Sequence, residues 1–433
     1  MTLKMTDFRL WSREKIVRAL FYLGMAITFL GSMTPWFVWP IQDKYVILSS
    51  ICFLASMGIA NVTEEDTENE QPYYASFYGR TGYQAPILLF VILSFYQMFI
   101  RGKNINAYIV NIFNIVVFFF IFKVKLEELR RFCDLLAKCL GGFMVVSMSL
   151  FLLYILGFPL PSLNVSYIDM YSFTNYYFFL IDDRALFTII PRFQSIFVEP
   201  GHLGTMTSLI LFTQVGKWKR WYNISLLTAT LISFSLAAYG ILVAVIFLGL
   251  WIRGKHIFRK ALYAVVVLST ITTGSFYYNN GDNLLHDLIM LRLEIEDGEM
   301  AGDNRVTDSF KADYESLLQS SDVLTGRDRN AEEFGNSGYR VFIYDYGLIG
   351  LVLLFLFYVV AMYHPHRAKE LLSVLIIATL NFIIRGRIIE FYFFITLYQV
   401  AKISFDAASN EATLTITSNS EQTTKYDSCP RQV

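Results

Sequence analysis

The chain has 433 residues, 55% hydrophobic and 17% aromatic, with 36 Lys and Arg balanced by 36 Asp and Glu. A mean hydropathy of +0.45 and apolar runs of near-spanning length from end to end exclude a soluble globular enzyme. They indicate an all-α integral membrane protein, because a bilayer core takes roughly 20 apolar residues per helix. Zero net charge leaves global electrostatics silent about partners, and nucleic acid is not expected among them.

Basic residues precede the first apolar run and no small-residue cleavage site follows it, which predicts a retained first helix. Apolar segments then fall near 17–39, 44–60, 85–100, 104–122, 139–158, 195–215, 221–237, 238–252, 261–277, 341–362, 371–384 and 388–401. About twelve spans are expected, with 221–252 the shortest pair. Basic residues set the orientation. Lys123, Lys125, Arg130 and Arg131, then Lys217, Lys219 and Arg220, then Arg253, Lys255, Arg259 and Lys260, then Arg367 and Lys369 mark cytoplasmic loops. Both termini fall on that side, and Arg101 and Lys103 break the rule. Cys52, Cys133, Cys139 and Cys429 have neither metal spacing nor a disulfide framework and read as inert packing.

Two segments then face outward. Pro159–Pro191 is rich in Tyr and Phe, and Tyr278–Arg340 is the one long hydrophilic stretch between spans. Apolar residues recur at three- and four-residue intervals around His286–Glu296 and Thr307–Leu318, predicting amphipathic helices at the membrane mouth. Glu64–Glu70 reads as solvated acidic surface, and the Ser/Thr-rich Asn410–Val433 reads as disordered. The resulting division is nine helices in 1–277, a large loop in 278–340, three helices in 341–401 and a cytoplasmic tail in 402–433.

The stretch most charged with meaning is Arg192–Gly204, RFQSIFVEPGHLG, directly before the apolar run Leu203–Val215. Ionisable groups at a membrane boundary are costly and point to function. The structural alternative for Glu199 is a favourable position against a helix dipole, with Pro200 in the first turn. His202 is the only histidine beside it and ranks behind it. The outer side also carries nine arginines, Arg184, Arg192, Arg292, Arg305, Arg327, Arg329, Arg340, Arg385 and Arg387, against Lys44, Lys103 and Lys311. Arginine forks match paired phosphate oxygens, so two or three are expected to bind phosphate and the rest to pair with loop acids. Arg385 and Arg387 interrupt an apolar stretch near Glu390, where snorkelling to the interface is the plainer reading. There is no Asp-x-Asp pair, no glycine-rich phosphate loop, no metal-spaced cluster and no Gly-x-Ser-x-Gly nucleophile. No cofactor and no metal are expected.

FVEPGHLG after an upstream arginine resembles the signature of Wzy-type O-antigen polymerases and the related O-antigen ligases. SFSLAAYG at Ser233–Gly240 sits where that family has a serine motif, with Leu236 in place of a frequent basic residue. GNSGYRVFIYDYGLIG at Gly335–Gly350 resembles the family's return from its large loop. The resemblance implies a GT-C-type glycosyltransferase of the bacterial inner membrane with one large periplasmic loop, serving lipopolysaccharide biosynthesis. Donor and acceptor would be glycans on undecaprenyl diphosphate, and a chain-length regulator protein would be a further partner. Glu199 would be the general base, with His202 second. Arg192, Arg292, Arg305, Arg385, Arg387 and Tyr339 would hold diphosphate or glycan. The aromatics of Pro159–Pro191 would anchor at the interface, or else stack on sugars. Polymerase comes first and ligase second. A polysaccharide flippase, also of about twelve helices, is disfavoured by the long outer loop and the nearly charge-free spans.

Overall fold

Six helices of the computed structural model are long and apolar enough to cross a bilayer: Arg13–Ser32, Gln42–Asn61, Ile105–Lys123, Leu126–Ile155, Leu236–Arg253 and Gly338–Met362. The protein is therefore an α-helical membrane protein. The structure describes residues 13–61, 77–101, 105–167, 171–183, 191–254, 307–328, 338–386 and 389–403, with isolated positions between 259 and 300. In chain order come α1 (Arg13–Ser32), α2 (Tyr45–Asn61), α3 (Gln84–Arg101), α4 (Ile105–Lys123), α5 (Leu126–Ile155) and a sheet of β1 (Leu163–Tyr167), β2 (Tyr171–Asn175) and β3 (Leu180–Asp182). Then follow α6 (Pro200–Thr213), α7 (Trp221–Ile232), α8 (Leu236–Arg253), β4 (Ile295–Glu296), β5 (Glu299–Met300), α9 (Asp308–Leu318), α10 (Gly338–Met362), α11 (Ala368–Arg385) and α12 (Phe391–Lys402).

Three of the expected spans are short. α6, α7 and α12 have 14, 12 and 12 residues, roughly 18–21 Å at 1.5 Å per residue, against a hydrocarbon core of roughly 30 Å. α6 and α12 are packed inside the bundle, whereas α7 buries one face and exposes Trp221, Ile224 and Leu231. Every residue of α12 is buried, the state of a helix that is apolar all round. Phe394 of α12 packs on Phe118 of α4 at 4.8 Å and on Phe357 of α10 at 5.4 Å between ring centroids. Aromatic pairs of this kind add about 0.5–1.5 kcal/mol beyond area burial.

Two departures from the sequence reading shape the site. The aromatic segment 159–191 is not a plain loop, since β1, β2 and β3 form an antiparallel sheet in sequence order. Phe173, Leu180 and Val198 form a small core beneath it, closed by Trp36 and Trp39. Trp39 lies 4.9 Å from Tyr167 and 5.6 Å from Phe173, with the rings tilted by 49° and 45°. The helix expected over His286–Glu296 does not reach its end. Ile295–Glu296 pairs antiparallel with Glu299–Met300. Residues 286–294 and the expected span at 261–277, beyond isolated positions, lie outside the described residues.

The second amphipathic helix forms as expected. Thr307 caps α9 by accepting from the Phe310 N–H, and Phe310 and Leu317 pack with Tyr344 of α10. Tyr344 also donates to the Asp313 carboxylate at 2.6 Å. α10 is broken at Gly347, at φ 62 and ψ −170, a conformation that only glycine adopts without strain. The backbone groups freed there find partners in the loop and in α3. The Tyr344 carbonyl accepts from Arg327 N–H at 2.6 Å and the Ile349 N–H donates to Leu324 at 3.1 Å. The Tyr346 carbonyl accepts from the Tyr96 hydroxyl at 2.9 Å. Broken helices inside a membrane protein require such partners.

Candidate functional site

Residues 191–204, 233–238, 338–345, 385–386 and 389–390 meet at one end of the bundle. The first arrives as non-helical chain. Leu180 N–H donates to the Ser195 carbonyl at 2.8 Å, Trp36 N–H to Ile196 at 3.0 Å, and Phe193 N–H to Ile232 at 3.3 Å. The Ser147 and Ser195 hydroxyls meet at 3.0 Å. Sheet, α1–α2 connection and α7 therefore hold this irregular stretch between them. The segment from Arg192 to Glu199 is thus not helical. The Arg192 Nε donates instead to the Ser233 carbonyl at 3.3 Å, where a cation meets the exposed carbonyls at the end of α7.

Glu199 directly precedes α6 with extended backbone, φ −135 and ψ 142, as a residue before proline must. Its carbonyl accepts from the N–H of His202 at 3.0 Å and of Leu203 at 3.3 Å. Its side chain makes no capping hydrogen bond, but it stands at the N-terminus of α6 with Pro200 in the first turn, the position against the helix dipole that the structural alternative expects. It is 37% exposed, and its Oε2 lies 3.7 Å from Nη1 of Arg385. Arg385 ends α11 with a side chain only 9% exposed. It does not snorkel. Its Nε and Nη2 are buried with no hydrogen-bond partner, a cost of about 1–3 kcal/mol for a neutral donor and more for a charged one. A buried fork with spare donors beside one carboxylate suits a bound anion or hydroxyl.

Small residues allow this convergence. A Cβ on Gly201 would sit 2.4 Å from the Arg385 Nη2, and one on Gly204 would sit 2.3 Å from the Ala238 Cβ. α6 therefore meets α8 almost backbone to backbone, the close packing that small residues permit in membranes. Gly338 and Gly386 pinch α10 onto the end of α11, since a Cβ on Gly338 would lie 2.1 Å from the Ile383 carbonyl oxygen. The backbone of Tyr339 passes beside Gly386. The phenol of Tyr314 on α9 is pushed up by burial and further by Tyr339, with Arg340 opposing.

The structure thus gathers Glu199, His202, Arg385 and Tyr339 at one end, with Arg192 bound to α7 beside them. Arg292, Arg305 and Arg387 lie outside the described residues. Sequence reading passed over Ser94, Gln97, Asn111, Asn114 and Asp345, which with Arg385 and Glu390 line a cavity of about 360 Å³. For Ser94, Gln97, Asn111 and Asn114 the signal is an uncharged polar residue within an apolar helix, and for Asp345 a lone carboxylate within the apolar run of α10. Among the described residues, no group of three or more His, Cys, Asp and Glu has the arrangement of a metal site. Set against known proteins, the chain matches no family model, no curated protein and no solved structure.

Proposed function

We propose that this protein is a GT-C-type glycan polymerase of the bacterial inner membrane. It transfers a glycan from undecaprenyl diphosphate to a hydroxyl of another lipid-linked repeat unit at the outer face. The observation that carries this reading is the Glu199–Arg385 pair, a partly exposed carboxylate 3.7 Å from a buried guanidinium whose Nε and Nη2 are unused. Glu199 takes the proton of the acceptor hydroxyl as its oxygen attacks the anomeric carbon. The bond from that carbon to the diphosphate oxygen breaks, and the diphosphate leaves with the electron pair. Arg385 holds the developing negative charge, an interaction strengthened by a water-poor site. His202, three residues on in the first turn of α6, orients the sugar. Arg292, Arg305 and Arg387 add contacts to the diphosphate, and a chain-length regulator acts on the growing polymer.

The test is Glu199→Gln, which keeps size and removes proton acceptance. A positioned general base contributes about 10²–10⁴-fold, so polymer on gels of extracted glycolipid should vanish while membrane insertion stays normal. Near-normal polymer from this variant overturns the reading. Loss of the wild-type protein should leave single repeat units on lipid. Finished polymer that stays unattached to lipopolysaccharide core would instead favour a ligase with the same chemistry.

A further inference from the structure

The cavity of about 360 Å³ that Arg385 shares lies between α3, α4, α10 and the α11–α12 turn. Ser94 and Gln97 stand three residues apart on α3, and Asn111 and Asn114 three apart on α4. Each pair therefore lies on one helix face, and both faces line the cavity. Uncharged polar side chains inside spanning helices are costly unless hydrogen-bonded. Among the described residues the side chains of Gln97 and Asn114 form no hydrogen bond, and the Asn111 side-chain amide donates only to the Met98 sulfur at 3.3 Å. Asp345 and Glu390 complete the polar wall, and Phe342 and Tyr346 supply aromatic rings.

Charge and size select the ligand. Two carboxylates against one guanidinium disfavour a diphosphate here, and the guanidinium disfavours a cation. The volume falls in the range of small-molecule pockets, roughly 300–1,000 Å³, well above what one ion needs. Amides both donate and accept, as a sugar hydroxyl does.

We propose that this cavity seats a sugar ring of the acceptor glycan. Gln97, Asn111, Asn114, Asp345 and Glu390 bind its hydroxyls, and Arg385 forms the wall shared with the reaction centre. A sugar resting on Arg385 is one guanidinium away from the Glu199 carboxylate, which places an acceptor hydroxyl beside its base. This assignment rests on the polymerase reading.

The probe is the oligosaccharide that mild acid releases from the host's own lipid-linked repeat unit, titrated calorimetrically into the purified full-length protein. Wild type should bind it, and Asn114→Leu and Gln97→Leu should each weaken binding about tenfold. The two substitutions lie on different helices, and monodisperse elution confirms the fold of each. No binding by wild type, or equal binding by both well-folded Leu variants, overturns the assignment. Glu199→Gln separates the two failures. Normal polymer from that variant removes the polymerase reading, whereas unchanged binding by the Leu variants removes the cavity assignment alone.

Discussion

Gly204→Ala is the sharpest probe of how the site is held together. The new methyl would lie 2.3 Å from the Ala238 Cβ and 3.0 Å from the Ser233 Oγ. Carbon atoms settle about 3.5–4.0 Å apart, so α6 and α8 must separate by about 1.2–1.7 Å at this crossing. Overpacking of a tight core costs about 1–3 kcal/mol, which a well-packed bundle tolerates. The larger effect is on geometry, since a misplacement of about 1 Å can cost about 10²-fold in rate, and Glu199 is one turn away. Polymer synthesis should fall by about two orders of magnitude while the protein still inserts and elutes as a single species. Adding Ala238→Gly removes the opposing methyl and should restore most of the activity, and the single Ala238→Gly should be nearly silent. Polymer length on gels and initial rate in purified vesicles read both. A double variant no better than Gly204→Ala would refute the argument that this contact sets the site.

Other expectations are briefer. Arg385→Lys keeps the charge but lacks the planar fork, so polymer synthesis should drop at least about tenfold, and wild-type rates would make Arg385 a packing residue only. Gly347→Ala forces a side chain into a conformation that costs about 1–3 kcal/mol and sets its Cβ 2.3 Å from the Leu324 carbonyl oxygen. The melting temperature in detergent should fall, and an unchanged one would contradict the kink. Arg292→Lys and Arg305→Lys should each shorten the polymer at normal expression, whereas full-length polymer from both would remove them from diphosphate binding.

Of the about twelve spans expected, six are long and apolar enough to cross a bilayer; these were legible because an apolar run of roughly 20 residues has few other fates. Thr307–Leu318 was legible because its cap and its apolar spacing agree, and Phe310 and Leu317 are buried accordingly. The start of α6 was not. Apolar residues from 195 onward read as helix, yet hydrogen bonds from Trp36 and Leu180, distant in sequence, hold Ser195 and Ile196 in other conformations. The sheet in 163–182 was hidden for a related reason, as its inner face is completed by Trp36, Trp39 and Val198 rather than by its own alternation. Glu199 stood out by its cost at a membrane boundary. Arg385 stood out too, but not as its partner, because a run of apolar residues ending in arginine looks alike whether the side chain reaches water, as expected, or turns inward, as Arg385 does.

The burial of α12 on every side has a consequence for biogenesis. This helix fills the space that α1, α4, α6, α10 and α11 enclose: the Tyr392 N–H donates to the Ser32 hydroxyl of α1 at 2.9 Å, and its phenylalanines interlock with α4 and α10. A chain emerges from the ribosome N-terminus first, so the helices around that space are made before their centre exists. A 12-residue segment is too short for the insertion machinery to treat as an ordinary span, so α12 enters by docking onto a surface its predecessors already offer. Arg385 lies six residues ahead of it and is fixed opposite Glu199 only once that docking is complete. The approach of Arg385 to Glu199 thereby depends on α12 being in place.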